Sequence, residues 1–210
     1  MALNFYLTRT IVLSVTFGLI QKRKSKVINN MKNEHNIRLT AFQDNDVELF
    51  TQWLDKDYIY KWFCCEGKED EQARIDGLGE KQDWLDEVTF REENPHRHLY
   101  IVTCDGRKIG FGICIDLYSE PEYLEEYYPD LNGNINAGEA LELGYCIGEE
   151  AYLNKGIGKI IIRRLDEECR ALGASLLLAD PNEANIPSIK VLLANGFEKY
   201  KDGDYRKHLR

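Results

Sequence analysis

Leu141-Glu142-Leu143-Gly144-Tyr145-Cys146-Ile147-Gly148-Glu149-Glu150-Ala151-Tyr152-Leu153-Asn154-Lys155-Gly156-Ile157-Gly158-Lys159 is the stretch on which the fold turns. Its first part, from Ala140 to Ile147, is rich in strand-forming residues, and a glycine-bearing turn comes after it at 154–158. Beyond it Ile157, Ile160, Ile161, Leu165, Cys169 and Leu172 recur at helical spacing, which predicts an amphipathic helix over 157–172. A strand that runs through a glycine turn into a helix leaves backbone N–H groups without intrahelical partners, at the positive end of the helix dipole. Such an end is a candidate pyrophosphate site, with Lys155 and Lys159 adding charge and Gly156 and Gly158 permitting close backbone approach. Gly-x-Gly alone also describes an ordinary tight turn. The stretch lacks the Gly-Lys-Ser/Thr ending of an ATPase loop. It also lacks the third glycine and the subsequent acid of a nicotinamide site.

Downstream, Ser175–Ala179 reads as an apolar strand and Pro187–Ala194 as a short helix opened by proline. Phe197–Tyr200 and Tyr205–Leu209 flank Asp202-Gly203 as a closing hairpin. Upstream, His98–Cys104 and Lys108–Leu117 flank Asp105-Gly106, the strongest hairpin signal in the chain. Ser119–Ala137 reads as a long acidic loop. Ile37–Ala41 alternates like a half-buried strand, and Asp44 or Asn45 is expected to cap a helix burying Val47, Phe50, Trp53 and Leu54. Tyr58–Phe63 is densely aromatic. Glu69–Val88 reads as a polar helix weakened by Gly77 and Gly79. The expected class is α/β: one domain with a mixed central sheet and helices on both faces.

The chain has 210 residues, enough for one substantial core. Residues 1–30 carry Arg9, Lys22, Arg23, Lys24 and Lys26 and no acid, which leaves 22 basic against 36 acidic residues, net −14, in 31–210. A domain that acidic repels nucleic acid and anionic membranes and attracts cations; acidity that serves only solubility is the alternative. The apolar run Ile11–Ile20 is short for a membrane span and has no small-residue cleavage site. We read 1–30 as extraneous, with Met31 as the functional start and 31–210 as the domain; a signal anchor is the alternative. The six cysteines form no C-x-x-C pair and are read as reduced, and His35, His96, His98 and His208 form no metal or nucleophile pattern. No metal and a cytoplasmic location are the expectations.

After the helix comes Ala179-Asp180-Pro181-Asn182-Glu183-Ala184-Asn185, and then Asn195-Gly196-Phe197. Strand, Gly-x-Gly turn, helix, strand, Asp-Pro-x-x-x-Asn, short helix and Asn-Gly-Phe together resemble the GNAT superfamily of N-acetyltransferases, over Ile37 to Leu209. Within it, Tyr60-Lys61-Trp62-Phe63 and Asp105–Gly110 are similar to the aminoglycoside 6'-N-acetyltransferases, whereas Glu142-Leu143-Gly144-Tyr145 resembles the acetyltransferases of ribosomal-protein N-termini.

The resemblance implies acetyl-CoA as co-substrate, a splayed strand pair at its site, and direct transfer to an amine. It places the pyrophosphate turn on Asn154, Lys155, Gly156, Ile157, Gly158 and Lys159, the pantetheine-pairing strand on Tyr145, Cys146 and Ile147, and a cofactor-arm contact on Asn185. Two positions depart from the family: Leu153 stands where Gln or Arg is usual, and Leu192 where a tyrosine often protonates the leaving thiolate. A thiol of pKa ~8.5 scarcely needs a general acid, and Tyr145 or a water is an available substitute.

An ammonium of pKa ~10 must lose a proton before it attacks, so a carboxylate base is expected. Glu142 is the first choice and Asp180 the second; a solvent-facing strand glutamate and a helix N-cap are the respective alternatives. Glu120, Glu122, Glu125, Glu126 and Asp130 crowd the acidic loop beside Tyr123, Tyr127 and Tyr128. These carboxylates, Glu125 and Glu126 first among them, are expected to attract a small cationic amine; a solvated loop face is the alternative. Trp62 is expected to line the pocket or the core. The resemblance also allows a homodimer. A peptide N-terminus as acceptor, or a non-catalytic acyl-CoA-binding module, remain the other readings.

Overall fold

Strand and turn chemistry fix the middle of the molecule. A computed structural model describes residues 35–201 and 203–209. The chain divides into Met1–His35 and Asn36–Arg210. The second unit carries the whole sheet; the expectation for residues 1–30 lies outside the described residues. β1 (Ile37–Ala41), β2 (Arg97–Cys104), β3 (Arg107–Asp116) and β4 (Ala140–Ile147) form an antiparallel run. The β2–β3 turn is Asp105-Gly106, both at positive φ, as a two-residue turn matched to strand twist requires. β5 (Leu176–Ala179) joins β4 in parallel, and β7 (Tyr205–His208) and β6 (Glu198–Lys199) close the edge, giving the order β1-β2-β3-β4-β5-β7-β6.

Helices cover both faces. α1 (Val47–Leu54), α2 (Asp57–Phe63) and α3 (Glu71–Thr89) pack Phe50, Trp53, Leu54, Ile59 and Val88 against Ile101, Phe111 and Ile113 of the sheet. On the opposite face α5 (Ile157–Ala171) buries Ile157, Ile161, Ile162, Leu165 and Cys169, and α6 (Ile186–Ala194) lies beside it. Burial of one such aliphatic side chain contributes roughly 1.5–3 kcal/mol, so this apolar stripe anchors α5 on the sheet.

Two local expectations need correction. Neither Asp44 nor Asn45 caps α1: a 3-10 turn, Asp44–Asp46, precedes it, and Asp46 reaches back to the Gln43 N–H at 2.9 Å. The segment read as a long acidic loop contains a 3-10 turn, Leu117–Ser119, and a helix, α4 (Pro121–Tyr127), with proline in its first turn. Leu124 and Tyr128 of this segment are buried with Leu117, Ala140 and Leu178, so α4 is held over the parallel end of β4. All six cysteines are buried and free. Among the described residues no helix is long and apolar enough to cross a membrane.

Candidate active site

β4 and β5 are paired only from Ala140↔Leu176 to Glu142↔Leu178, although β4 runs on to Ile147. From Leu143 onward its edge toward β5 therefore lacks a ladder partner, and unsatisfied backbone groups line a wedge between the strands. Gly148, at the end of β4, is pinned from the helical layer. Its carbonyl accepts from Lys56 Nζ at 2.6 Å and Tyr58 Oη at 2.8 Å, and neighbouring Glu149 accepts from Trp53 Nε1 at 2.7 Å. These bonds fix the chain as it enters the glycine turn.

Gly156 is the N-cap of α5 at φ +74°, and it provides no side-chain acceptor for the first helical N–H groups. A Cβ built on it would meet nothing within 4 Å, so the approach to those groups is open. Asn154 also has positive φ, which bends the turn around them. Lys155 and Lys159 are exposed beside it, and Ile157 and Gly158 are buried beneath it. Open amides, helix dipole and two ammonium groups fit a pyrophosphate, and the unpaired edge of β4 fits the amides of a pantetheine arm. Cys146 turns its side chain to the opposite core.

The wedge opens into a cavity of about 610 Å³, large enough for a small molecule. Trp62, Glu142, Tyr145, Asp180 and Asn185 line it together. Glu142 is 8% exposed, so it is not the solvent-facing strand residue that was the alternative. Its Oε1 accepts from Tyr128 Oη at 2.8 Å and Tyr123 Oη at 3.3 Å. Burial pushes its carboxyl well above the usual carboxylate range and the charge of Asp180 adds to the rise, while the two phenol hydrogen bonds offset part of it. Asp180 is exposed to the cavity, and desolvation by the surrounding walls raises its carboxyl as well. The two carboxyls face one site and titrate as a pair. Asp180 does not cap α6: that role belongs to Asn185, whose Oδ1 accepts from the Ser188 N–H at 3.3 Å.

Leu192 is 2% exposed and lines the cavity at the position where the family tyrosine stands. Tyr145 lies close by. Burial pushes its phenol up to about 12, partly offset by a hydrogen bond with Ser188, so it stays protonated as a donor.

Glu125 and Glu126 are exposed on α4 and are not among the residues lining the cavity. The carboxylates that do line it, besides the Glu142–Asp180 pair, are Glu120, before α4, and Glu80, Asp83 and Glu87 of α3. Arg97 ties two of them together, its Nη1 donating to Glu87 Oε2 at 2.5 Å and its Nε to Glu120 Oε1 at 2.6 Å. His96 Nε2 also meets Glu120 Oε1, at 2.7 Å. Burial raises the Glu120 carboxyl, but its bonds to Arg97 and His96 outweigh that and hold it below the usual range. The α3 acids are spaced i, i+3 and i+7 with Trp84 between them. That pattern was visible in the sequence, but it reads equally as a solvated helix face.

A strand pair that parts beside an open helix N-terminus, with a carboxyl pair at the parting, is the candidate active site. The model for the acetyltransferase (GNAT) domain matches residues 36–198, and the chain belongs to that family. It is an acetyl-CoA-dependent N-acetyltransferase. No curated protein matches the chain significantly. Among solved structures it is similar to the aminoglycoside acetyltransferase AAC(6')-Ib in complex with ribostamycin and coenzyme A, at 20% identity over 82% of this chain and 93% of that one, TM-score 0.61. AAC(6')-Ib with coenzyme A alone gives 19% identity, 82% and 95% coverage, and 0.60. A domain from Methanocaldococcus jannaschii gives 23%, 84% and 100%, and 0.59. At these identities the likeness is one of fold.

Proposed function

We propose that the protein transfers the acetyl group of acetyl-CoA to a primary amine of a small cationic acceptor, by direct attack of the amine on the thioester. The observation that carries this reading is the cavity beside the strand wedge, lined by six carboxylates and aromatic rings against one guanidinium, Arg97. Such a lining attracts an ammonium and repels anions. A carboxyl displaced toward neutrality suits the removal of a proton from an ammonium, and the Glu142–Asp180 pair is assigned that role, directly or through water. The amine nitrogen then bonds to the acetyl carbon as the carbon–sulfur bond breaks. Backbone N–H groups of β4 near Cys146 and Ile147 polarise the thioester oxygen, and Tyr145 or water protonates the departing thiolate. Coenzyme A is held by the 154–159 turn and the free edge of β4.

Glu120 and Tyr123 line the cavity beside Glu142, and a pocket of about 610 Å³ suits a small acceptor. AAC(6')-Ib, whose structures hold ribostamycin or kanamycin, is consistent with an aminoglycoside-like acceptor. The test is incubation of the full chain with isotopically labelled acetyl-CoA and an amine panel: aminoglycosides, aliphatic amines and short peptides. Labelled small-molecule product supports the reading. Label on peptides alone would replace it with a protein N-terminal acetyltransferase, and binding without transfer to any amine with an acyl-CoA-binding module.

A further inference from the structure

Trp62 reaches the cavity from the last turn of α2, and the turn that follows, 64–68, folds back against its ring. Gly67 N–H donates to the Lys61 carbonyl at 2.7 Å, and Glu66 and Gly67 both take positive φ, +47° and +80°. A Cβ on Gly67 would fall 2.7 Å from Trp62 Cζ3, closer than a side-chain carbon approaches, so only glycine leaves the ring its place. The same Cβ would lie 3.2 Å from Asn182 Oδ1. Trp62, Gly67 and Asn182 thus form one contact, and both Trp62 and Asn182 line the cavity.

Asn182 belongs to the loop between β5 and α6, two residues after Asp180. Its Nδ2 donates to the Glu66 carbonyl at 2.7 Å, across a sequence separation of 116 residues. Its Oδ1 accepts from the Ala184 N–H at 2.9 Å and its carbonyl from the Asn185 N–H at 2.8 Å, which keeps the loop end of that bond rigid. Both polar atoms of the side chain are engaged within the protein, one shaping its own loop and the other holding the 64–68 turn. No local folding need explains a bond between segments so far apart in the chain. What it fixes is the turn against which the Trp62 ring rests.

We propose that Asn182 is a positioning residue for acetyl transfer: through the Glu66–Gly67 turn it fixes the Trp62 ring as a wall of the acceptor site. This deepens the reading of the cavity as the acceptor site and rests on it. Asn182 sets acceptor affinity through the ring and not by a bond of its own to the acceptor. Without the bond to Glu66 the turn swings and the ring follows it, so the acceptor has to order the ring on binding.

Asn182→Ser isolates the bond, because a serine hydroxyl takes over the local turn but is too short to reach Glu66. Steady-state rates with acetyl-CoA and kanamycin are measured for the full chain as wild type, Asn182→Ser, Trp62→Ala and the double variant. Asn182→Ser is expected to raise the kanamycin KM about five- to tenfold, as for one lost hydrogen bond, with the acetyl-CoA KM unchanged. In the Trp62→Ala background the same change is expected to matter less than about twofold, since the ring it holds is gone. Gly67→Ala, which pushes the ring instead of releasing it, is expected to raise the kanamycin KM likewise, and it decides if Asn182→Ser does not fold. Equal effects of Asn182→Ser in the two backgrounds, an unchanged kanamycin KM, or a parallel rise in the acetyl-CoA KM overturn the positioning role while leaving amine acetylation standing. If kanamycin is not acetylated, the reading of the acceptor fails separately, and acrylamide quenching of tryptophan fluorescence decides the positioning. Asn182→Ser is then expected to increase the part of the quenching that Trp62→Phe abolishes, and an unchanged part overturns the proposal.

Discussion

Tyr128 donates its phenol hydrogen to Glu142 Oε1 at 2.8 Å, linking the residue just after α4 to β4. Tyr123 approaches the same oxygen, so the segment over the cavity and the carboxylate assigned as base are one hydrogen-bonded unit. Burial pushes both phenols far up and the Glu142 charge adds to it, so both remain donors across the working pH range.

Tyr128→Phe removes a donor that favours the ionised form of Glu142. The Glu142 pKa then rises, and the acid limb of the kcat/KM profile moves to higher pH. Loss of the bond costs about 1 kcal/mol of stability. A pH–rate profile with a denaturant titration checks both; an unmoved limb would detach Tyr128 from the base.

Because both carboxyls of the pair are raised, the wild-type acid limb belongs well above the ~4 of ordinary carboxylates. Stability has the opposite sign. A carboxyl that is harder to ionise folded than unfolded favours the native state at low pH, and that contribution is lost as pH climbs from about 4 through the raised folded value. Wild-type Tm should fall over that interval by more than that of Glu142→Gln, which lacks the titrating group. Parallel Tm curves for the two proteins would contradict the burial argument.

Gly156→Ala places a Cβ at φ +74°, where an L side chain costs about 1–2 kcal/mol, although no atom obstructs it. The expected kinetic effect is a raised KM for acetyl-CoA, since the strain falls on the amides assigned to the pyrophosphate, with the acceptor KM changed little. Initial rates with each substrate varied in turn distinguish the two.

Much of the frame was legible because local chemistry and tertiary context agree in it. Ile37–Ala41 and Ala140–Ile147 form strands at the expected bounds, Asp105-Gly106 turns the hairpin, and α5 begins at Ile157 as the apolar spacing requires. α4 was missed because only Leu124 and Tyr128 of its segment are deeply buried, too few for a helical period to stand out among acids and tyrosines. The proline at its start and Glu122 in its first turn were the available signals. At the acceptor end the sequence identified Glu142, Asp180 and Trp62 as candidates and, of the loop acids it named, Glu120 lines the cavity while Glu125 and Glu126 do not. Only the folding of α3 across the sheet turns Glu80, Asp83 and Glu87 into a cavity wall, and that depends on contacts far apart in the chain.

The central claim is that a carboxyl at the parting of β4 and β5 takes the proton from an attacking amine. The most direct measurement is thiol release from acetyl-CoA by the full chain, wild type and Glu142→Gln, with a cationic amine at saturation. The account requires a fall in kcat of about 10²–10⁴-fold in the variant, with acetyl-CoA binding retained. Glu142→Gln turning over at the wild-type rate with an unchanged pH profile would contradict it and leave Glu142 as a buried structural carboxyl.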